Sequence, residues 1–283
     1  MKPQSILITG CSSGIGAAVA HGLQQRGYRV FASARKAVDV ERLQQQGFTA
    51  VQLDLADTTS ITNALATVLE ATGGTLDALF NNGAYGQPGA VEDLPTDILR
   101  QQFDSNFFGT HELTRQVLSV MRRQGDGRII FNSSLLGFVA LPFRGAYNAS
   151  KFALEGLVDT LRLELKLSHS PIKVVLIQPG PIISRFRANA YAAFQANIDV
   201  ANSPYAAIYG RVAGRLQQES STAPFTLPPE AVLTKVITAL ETPRPCARYG
   251  VTQPTLIFAI ARRLLPSRWL DALLLAVAQR ENR

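Results

Sequence analysis

From residue 5 onward, short apolar runs without polar alternation take turns with longer stretches whose apolar positions recur every three or four residues. The first run, Ser5 to Thr9 (SILIT), reads as a strand buried on both faces. A turn follows at Gly10-Cys11-Ser12-Ser13-Gly14-Ile15-Gly16, then a helix over Ala17 to Arg26 that Gly27 ends. Arg29 to Ala34 (RVFASA) is the next predicted strand, and Asp39 is expected to cap the helix behind it. The same alternation gives strands at Thr49 to Leu53, Leu76 to Phe80, Arg128 to Asn132, Lys173 to Gln178 and Arg248 to Val251. Helices are expected over Ser60 to Thr72, over Asp97 to Gln124 with a break near Ser105, through Tyr147 as far as Leu165, and over Pro228 to Leu240.

Beyond Ser184 this rhythm weakens. Residues 185–226 mix alanine with Phe186, Tyr191, Phe194, Tyr205 and Tyr209. Residues 253–280 read as two amphipathic helices split by Pro266, with Arg262, Arg263 and Arg268 beside leucines. This tail is expected to cover a pocket or a neighbouring subunit; contact with a membrane surface is the alternative its pattern leaves open. Strands alternating with helices over 283 residues predict an α/β fold. It is a single domain over 1–283, built on a doubly wound, Rossmann-type parallel sheet of about seven strands.

Composition changes this picture little, since 46% hydrophobic and 17% charged residues are ordinary for a globular enzyme. A net charge of +7 invites a nucleic-acid reading, but the Lys and Arg residues are scattered and form no basic block. No nucleic-acid partner is therefore expected, and the charge suits a phosphorylated cofactor. Cys11 and Cys246 lie far apart, and His21, His111 and His169 are dispersed, so no metal site is expected. A strand begins at Ser5, leaving no room for a signal peptide, and no apolar run approaches the ~20 residues of a membrane span. Both point to a cytoplasmic protein.

The candidate chemistry starts with Tyr147-Asn148-Ala149-Ser150-Lys151. Four residues apart on a helix, Tyr147 and Lys151 share a face. An ammonium beside a phenol is expected to pull its pKa down, so that the pair can trade a proton near neutrality. Glycines between a strand and a helix let the backbone approach a pyrophosphate, which the helix N-terminus holds with free N–H groups. At the end of the second strand, where an acid would bind a ribose 2′-hydroxyl, the chain has Ala34, Arg35 and Lys36. A guanidinium can grip a 2′-phosphate that a carboxylate would repel, so NADP(H) is the expected cofactor. A plain surface cation is the other reading of Arg35. Asn106 has Phe103, Phe107 and Phe108 as neighbours, so its amide is expected to be buried and to need partners. A serine at the end of the fifth strand, Ser133 or Ser134, can donate to a carbonyl oxygen as charge develops there.

The glycine spacing is Thr-Gly-x-x-x-Gly-x-Gly rather than Gly-x-Gly-x-x-Gly. With Asn81-Asn82-Gly83-Ala84, Ser134, Tyr147 and Lys151 following in order, the chain resembles the short-chain dehydrogenase/reductase family over about its first two-thirds. Gly83-Ala84 reverses the order usual in that family. The resemblance implies that Thr9, Gly10, Ser12, Ser13, Gly14, Ile15 and Gly16 line the cofactor's diphosphate and adenosine ribose. It implies that Asp54 and Leu55 meet the adenine and that Asn82, Gly83 and Ala84 approach the cofactor closely. Further cofactor contacts come from Pro179, Gly180 and Ile182, with the Ser184 hydroxyl on the nicotinamide carboxamide. Tyr147 follows Ser134 by thirteen residues, the family's interval, which selects Ser134 over Ser133. By the same resemblance Tyr147 is the proton donor, Ser134 steadies the oxygen, Lys151 also holds the nicotinamide ribose, and Asn106 orders a water leading to the lysine. The implied activity is NADP(H)-dependent reduction of a lipophilic aldehyde or ketone, or the reverse oxidation. That places the chain near bacterial aldehyde reductases and the retinol and 17β-hydroxysteroid dehydrogenase branch. A non-catalytic NADP(H) sensor is the alternative. Residues 185–226 would be the substrate lid, and the helix bearing Tyr147 a subunit contact in a homodimer or homotetramer.

Overall fold

The computed structural model describes residues 4–217 and 225–281; the stretch 218–224 of the predicted lid lies outside them. Seven strands form one sheet: β1 (Ser5–Ile8), β2 (Arg29–Ala34), β3 (Thr49–Gln52), β4 (Ala78–Asn81), β5 (Arg128–Asn132), β6 (Lys173–Gln178) and β7 (Arg248–Gly250). All pairs are parallel, in the order β3-β2-β1-β4-β5-β6-β7. The chain thus winds outward from β1 in one direction and from β4 in the other. The crevice above the C-terminal ends of β1 and β4 is where such a sheet binds ligands.

The helices are α1 (Gly14–Gln25), α2 (Ala37–Gln45), α3 (Thr58–Thr72), α4 (Thr96–Phe103), α5 (Thr110–Gln124) and α6 (Gly145–Leu167). They continue with α7 (Phe186–Asn197), α8 (Ala206–Gln217), α9 (Glu230–Glu241), α10 (Gln253–Leu264) and α11 (Ser267–Glu281). Alternate residues of β1 feed opposite faces of the sheet. Leu7 joins Ile61 and Val68 of α3, Leu113 and Val117 of α5, and Leu154 and Val158 of α6. Ile6 and Ile8 join Val19 and Leu23 of α1, Leu43 of α2, and Val232 and Val236 of α9. Each fully buried aliphatic side chain in these layers contributes roughly 1.5–3 kcal/mol.

Several boundaries differ from the sequence reading for local reasons. Helix α1 begins at Gly14, so the last two glycines of the turn are already helical. Helix α3 starts at Thr58 because the Asp57 side chain accepts from the Thr59 N–H at 2.8 Å. Asp39 does not cap α2: Lys36 holds that position with no side-chain cap, and Asp39 sits in the first turn, paired with Arg42 at 2.7 Å. The β4 ladder begins only at Ala78, since both backbone groups of Leu76 are taken by the Gln124 side chain (3.1 and 3.0 Å). The expected break near Ser105 is a π-turn over Asp104–Gly109 between α4 and α5.

Beyond the sheet, α7 and α8 build a small core of their own from Phe194, Tyr209, Val212 and Leu216, closed by Ala90 from the loop after β4. The buried Tyr209 hydroxyl ties the two parts, accepting from the Ala90 N–H at 2.8 Å and donating to Asp93. The tail packs inward through Phe258, Leu274 and Ala278 onto Leu135, Leu136, Val139 and Leu141. Its outer face leaves Leu256, Ile257, Ile260, Leu264 and Trp269 exposed. Among the described residues no helix is long and apolar enough to cross a membrane.

Candidate active site

The turn after β1 is held open by two polar side chains and three close approaches. The Thr9 hydroxyl accepts from the N–H groups of Asn82 and Gly83, each at 2.8 Å. The Asn82 amide donates to the carbonyls of Thr9 (2.9 Å) and Gly10 (3.2 Å) and accepts from Asn132 (3.0 Å). Thr9 and Asn82 therefore splice the β1 and β4 turns together from behind. A Cβ on Gly16 would lie 2.1 Å from the Gly10 carbonyl oxygen, and one on Gly14 2.9 Å from Cβ of Ser184. Gly10 and Gly14 also have positive φ, 73° and 58°. A Cβ on Gly83 would stand 3.0 Å from Leu55, so the reversed Gly83-Ala84 order puts the smaller residue at the tighter point. Ser13, at the N-cap of α1, makes no side-chain cap hydrogen bond, which leaves the first-turn N–H groups available to an anion. Bare backbone and a helix N-terminus at the sheet's crevice fit a dinucleotide diphosphate.

A cleft of about 360 Å³ runs from this turn along the strand ends. Of the residues singled out from sequence it brings together Gly10, Ser12, Ser13, Gly14, Ile15, Asn82, Gly83, Ala84, Ser134, Tyr147, Lys151, Pro179, Gly180, Ile182 and Ser184. Thr9 and Gly16 stand behind this wall as packing. Arg35 and Lys36 are exposed at the end of β2, outside the cleft. Asp54 and Leu55 also lie outside it: one Asp54 carboxylate oxygen accepts from the Ala56 N–H at 2.9 Å, and Leu55 is buried against Gly109.

At the cleft's centre, Tyr147 and Lys151 rise from α6 beside Ser134. Lys151 is buried, and its ammonium donates to the Asn132 carbonyl at 2.7 Å and lies 5.7 Å from the centroid of the Tyr147 ring. Burial pushes the lysine down to about 8, partly offset by the Glu155 carboxylate one turn on. The expectation that the lysine acidifies the phenol is not met. Burial pushes Tyr147 up to about 12, and only its hydrogen bond with Ser134 pulls the other way. The ammonium faces the ring rather than the hydroxyl, so desolvation dominates. Ser134 faces the cleft, accepting from the Leu136 N–H at 3.0 Å, and both it and Ser133 line the wall. Ser133 is buried, and its hydroxyl has no hydrogen-bond partner among the described residues, which leaves Ser134 as the one beside the phenol.

Asn106 lies on the π-turn, away from the cleft wall. Its amide clamps the Tyr85 backbone, accepting from N–H at 3.1 Å and donating to C=O at 2.9 Å, and reaches the Ser150 hydroxyl at 3.3 Å. The burial expected from its neighbours is observed, at 1% exposure, and each of its polar atoms has a partner. Asn106 thus positions the loop after β4 against the residue preceding Lys151. Ser184 opens α7 by accepting from the Phe186 N–H at 3.3 Å, and Phe186 packs edge-on against the Tyr147 ring at 5.2 Å.

Sequence reasoning missed three contributors. Glu155 is buried, accepts from Gln178 (2.9 Å) and Arg248 (3.1 Å), and supports the charge on Lys151. Its position one turn beyond Lys151 was the available signal. Arg42 donates to the Ser12 carbonyl at 2.8 Å and so adds a cation to the glycine turn. Glu281, at the end of α11, lines the same cleft as Tyr147, a placement that no local pattern announces.

Comparison with known proteins agrees with this geometry. The family model for short chain dehydrogenase matches residues 4–194. The uncharacterized oxidoreductase YbbO of Escherichia coli K12 is 42% identical over 271 residues, 96% of this chain and 94% of that protein. An NADPH-dependent 3-dehydrocapnine reductase of Ornithobacterium rhinotracheale is 31% identical over 275 residues, 94% of each chain. Among solved structures, a short chain dehydrogenase/reductase of Burkholderia phymatum in complex with NAD shares the fold with a TM-score of 0.78 at 22% identity, over 93% of this chain and 92% of that one.

Proposed function

The chain belongs to the short-chain dehydrogenase family, and from that premise we propose that it is an NADP(H)-dependent oxidoreductase that reduces the carbonyl of a lipophilic aldehyde or ketone to an alcohol. The observation that carries the reading is the single cleft in which Ser134, Tyr147 and Lys151 meet the glycine turn. Bound NADPH would supply the hydride to the carbonyl carbon. Tyr147, kept protonated by burial, gives its proton to the carbonyl oxygen, and Ser134 donates to that oxygen as charge builds on it. The Lys151 ammonium, 5.7 Å from the centroid of the Tyr147 ring, offsets the charge of the phenolate left behind. Asn106 acts from below by fixing the Tyr85 loop and Ser150. The reverse alcohol oxidation uses the same groups, and the ratio of reduced to oxidised cofactor sets the direction.

The cofactor choice rests on Arg35 and Lys36 at the end of β2, in a chain 31% identical to a reductase named for its use of NADPH. Leu135, Leu136, Leu141 and Phe186 in the cleft wall support a lipophilic substrate. A homodimer or homotetramer is part of the proposal, and the exposed Leu163 and Leu167 of α6 suit such a contact. The test is a panel of aliphatic aldehydes, aromatic aldehydes, retinal and ketosteroids, following NADPH and NADH oxidation in parallel for the wild type and Arg35→Ser. The expected result is turnover with NADPH, and a KM for NADPH raised about tenfold or more by the substitution with little change for NADH. Equal use of both cofactors, unaltered by the substitution, would contradict the NADP(H) assignment.

A further inference from the structure

Helices α10 and α11 each have two unlike sides. The inner side of α10 carries the buried Thr255 and Phe258, and that of α11 the buried Leu274 and Ala278. On the outer side of α10, Leu256, Ile260 and Leu264 recur one helix turn apart with Ile257 beside them, and each is more than half exposed. Pro266 breaks the helix, and Trp269 follows in the first turn of α11, 68% exposed. A helix that only sealed the core would be polar on this side. The charges beside the stripe are of one sign apart from Asp271. Arg263 lies two turns beyond Leu256 at the stripe's edge, Arg268 adjoins Trp269, and Arg280 stands in the last turn of α11. All three are exposed, and none makes an ion pair or a side-chain hydrogen bond. Arg262 is turned inward instead, donating to the Phe138 carbonyl and lying 5.2 Å from the centroid of the Phe152 ring. Glu281 is likewise turned inward, paired with Arg144 and Arg215.

Aliphatic side chains in a stripe, an exposed indole and flanking guanidiniums match the interface of a bilayer. There the aliphatic groups enter the acyl boundary, the indole sits at headgroup level and the guanidiniums meet lipid phosphates. A second copy of the chain fits this face less well, because a two-fold contact through it would set arginines against arginines. We propose that the outer face of α10 and the start of α11 docks on a bilayer containing acidic phospholipids, so that the chain lies on the membrane without crossing it. The inner side of the same helices packs on Leu135, Leu136 and Leu141 of the cleft wall, which leaves a lipophilic substrate a short path from bilayer to site. That last link rests on the carbonyl-reductase reading; the docking surface does not.

The experiment is vesicle sedimentation of the full chain combined with the emission of Trp269, the only tryptophan in the sequence, which places the reporter on the proposed contact. The probes are vesicles of phosphatidylcholine alone and of phosphatidylcholine with about one-third phosphatidylglycerol. The mixed vesicles should bind about tenfold or more tighter at low salt, and the difference should shrink as salt is added. Trp269 emission should move to shorter wavelength and be quenched by brominated acyl chains. Ile257→Glu combined with Ile260→Glu should abolish binding, and Arg263→Gln combined with Arg268→Gln should lower the preference for mixed vesicles about threefold or more. These positions are exposed, so the thermal midpoint and NADPH binding should stay as in the wild type. Should the glutamate pair fail to fold, wild-type quenching and the arginine pair decide. A wild type that pellets with neither vesicle would overturn the proposal, as would equal binding to both or a preference that the arginine pair leaves unchanged. Binding with Trp269 emission unmoved would overturn it too. So would a wild-type dimer that the glutamate pair splits in sedimentation velocity, since the face would then belong to a second copy. A chain that docks yet reduces no carbonyl would lose only the reductase reading. One that reduces carbonyls without docking would lose only this inference.

Discussion

On the glycine side of the cleft the wall is backbone, set by residues within one or two turns of β1 and β4. Gly10, Gly14, Gly16 and Gly83 leave no side chain there, and Thr9 and Asn82 fasten the two turns from behind. On the opposite side the wall is side chain. It is assembled from Leu135 and Leu136, Phe186 and Ala190, Leu216 and the end of α11, segments separated by up to about half the sequence. The first wall is rigid because a Cβ has nowhere to go, and it suits a ligand whose phosphates never vary. The second is held by burial and a few polar ties, so its shape and charge can differ between relatives without disturbing the sheet.

The sharpest way to break this contrast is Gly16→Val. Its Cβ would fall 2.1 Å from the Gly10 carbonyl, so the turn must open. The substitution is expected to eliminate NADPH binding, read by fluorescence titration, and to lower the thermal midpoint by several degrees. Undiminished binding would show that the glycine wall is not the diphosphate site. Tyr209→Phe probes the other wall. It leaves the buried Ala90 N–H without its acceptor and should cost about 1–3 kcal/mol in denaturant unfolding, with NADPH affinity kept. Loss of cofactor affinity there would mean that the two walls are not independent.

The smallest expected effect concerns pH. Reduction needs the phenol proton, present up to about 12, and the Lys151 ammonium, present only below about 8. The kcat/KM for reduction should therefore be flat at lower pH and fall as pH rises through about 8. Glu155 raises the lysine's pKa, so Glu155→Gln should move that limb to lower pH while leaving the plateau near pH 6 little changed. A limb that stays in place would remove Glu155 from the account.

The contrast also explains what could be read from the chain. Sheet, cofactor turn and the Ser134–Tyr147–Lys151 set are encoded in short spacings that depend on strand and helix periodicity alone, and all seven strands appear close to where the apolar runs put them. The β4 prediction failed at its start, Leu76, because a side chain from α5, Gln124, captures its backbone groups. Asp39 was misread for a similar reason, its carboxylate being drawn to Arg42 within the helix. The acidified tyrosine was misjudged because spacing gives proximity but not burial, and here burial is the larger effect. Asn106 was found by its apolar neighbours, whereas its hold on the Tyr85 backbone depends on a loop twenty-one residues away. Glu281, which reaches the cleft only through tertiary packing, left no local trace.

The account's central claim is that Tyr147 is the proton donor to a carbonyl beside the cofactor. Its most direct test is single-turnover oxidation of NADPH by a reducible aldehyde from the panel, comparing the wild type with Tyr147→Phe and measuring NADPH binding on the same samples. The account predicts a rate lowered by about 10²- to 10⁴-fold with NADPH affinity within about twofold of the wild type. A phenylalanine variant that still oxidises NADPH at the wild-type rate would contradict it, as would one that loses cofactor binding together with turnover.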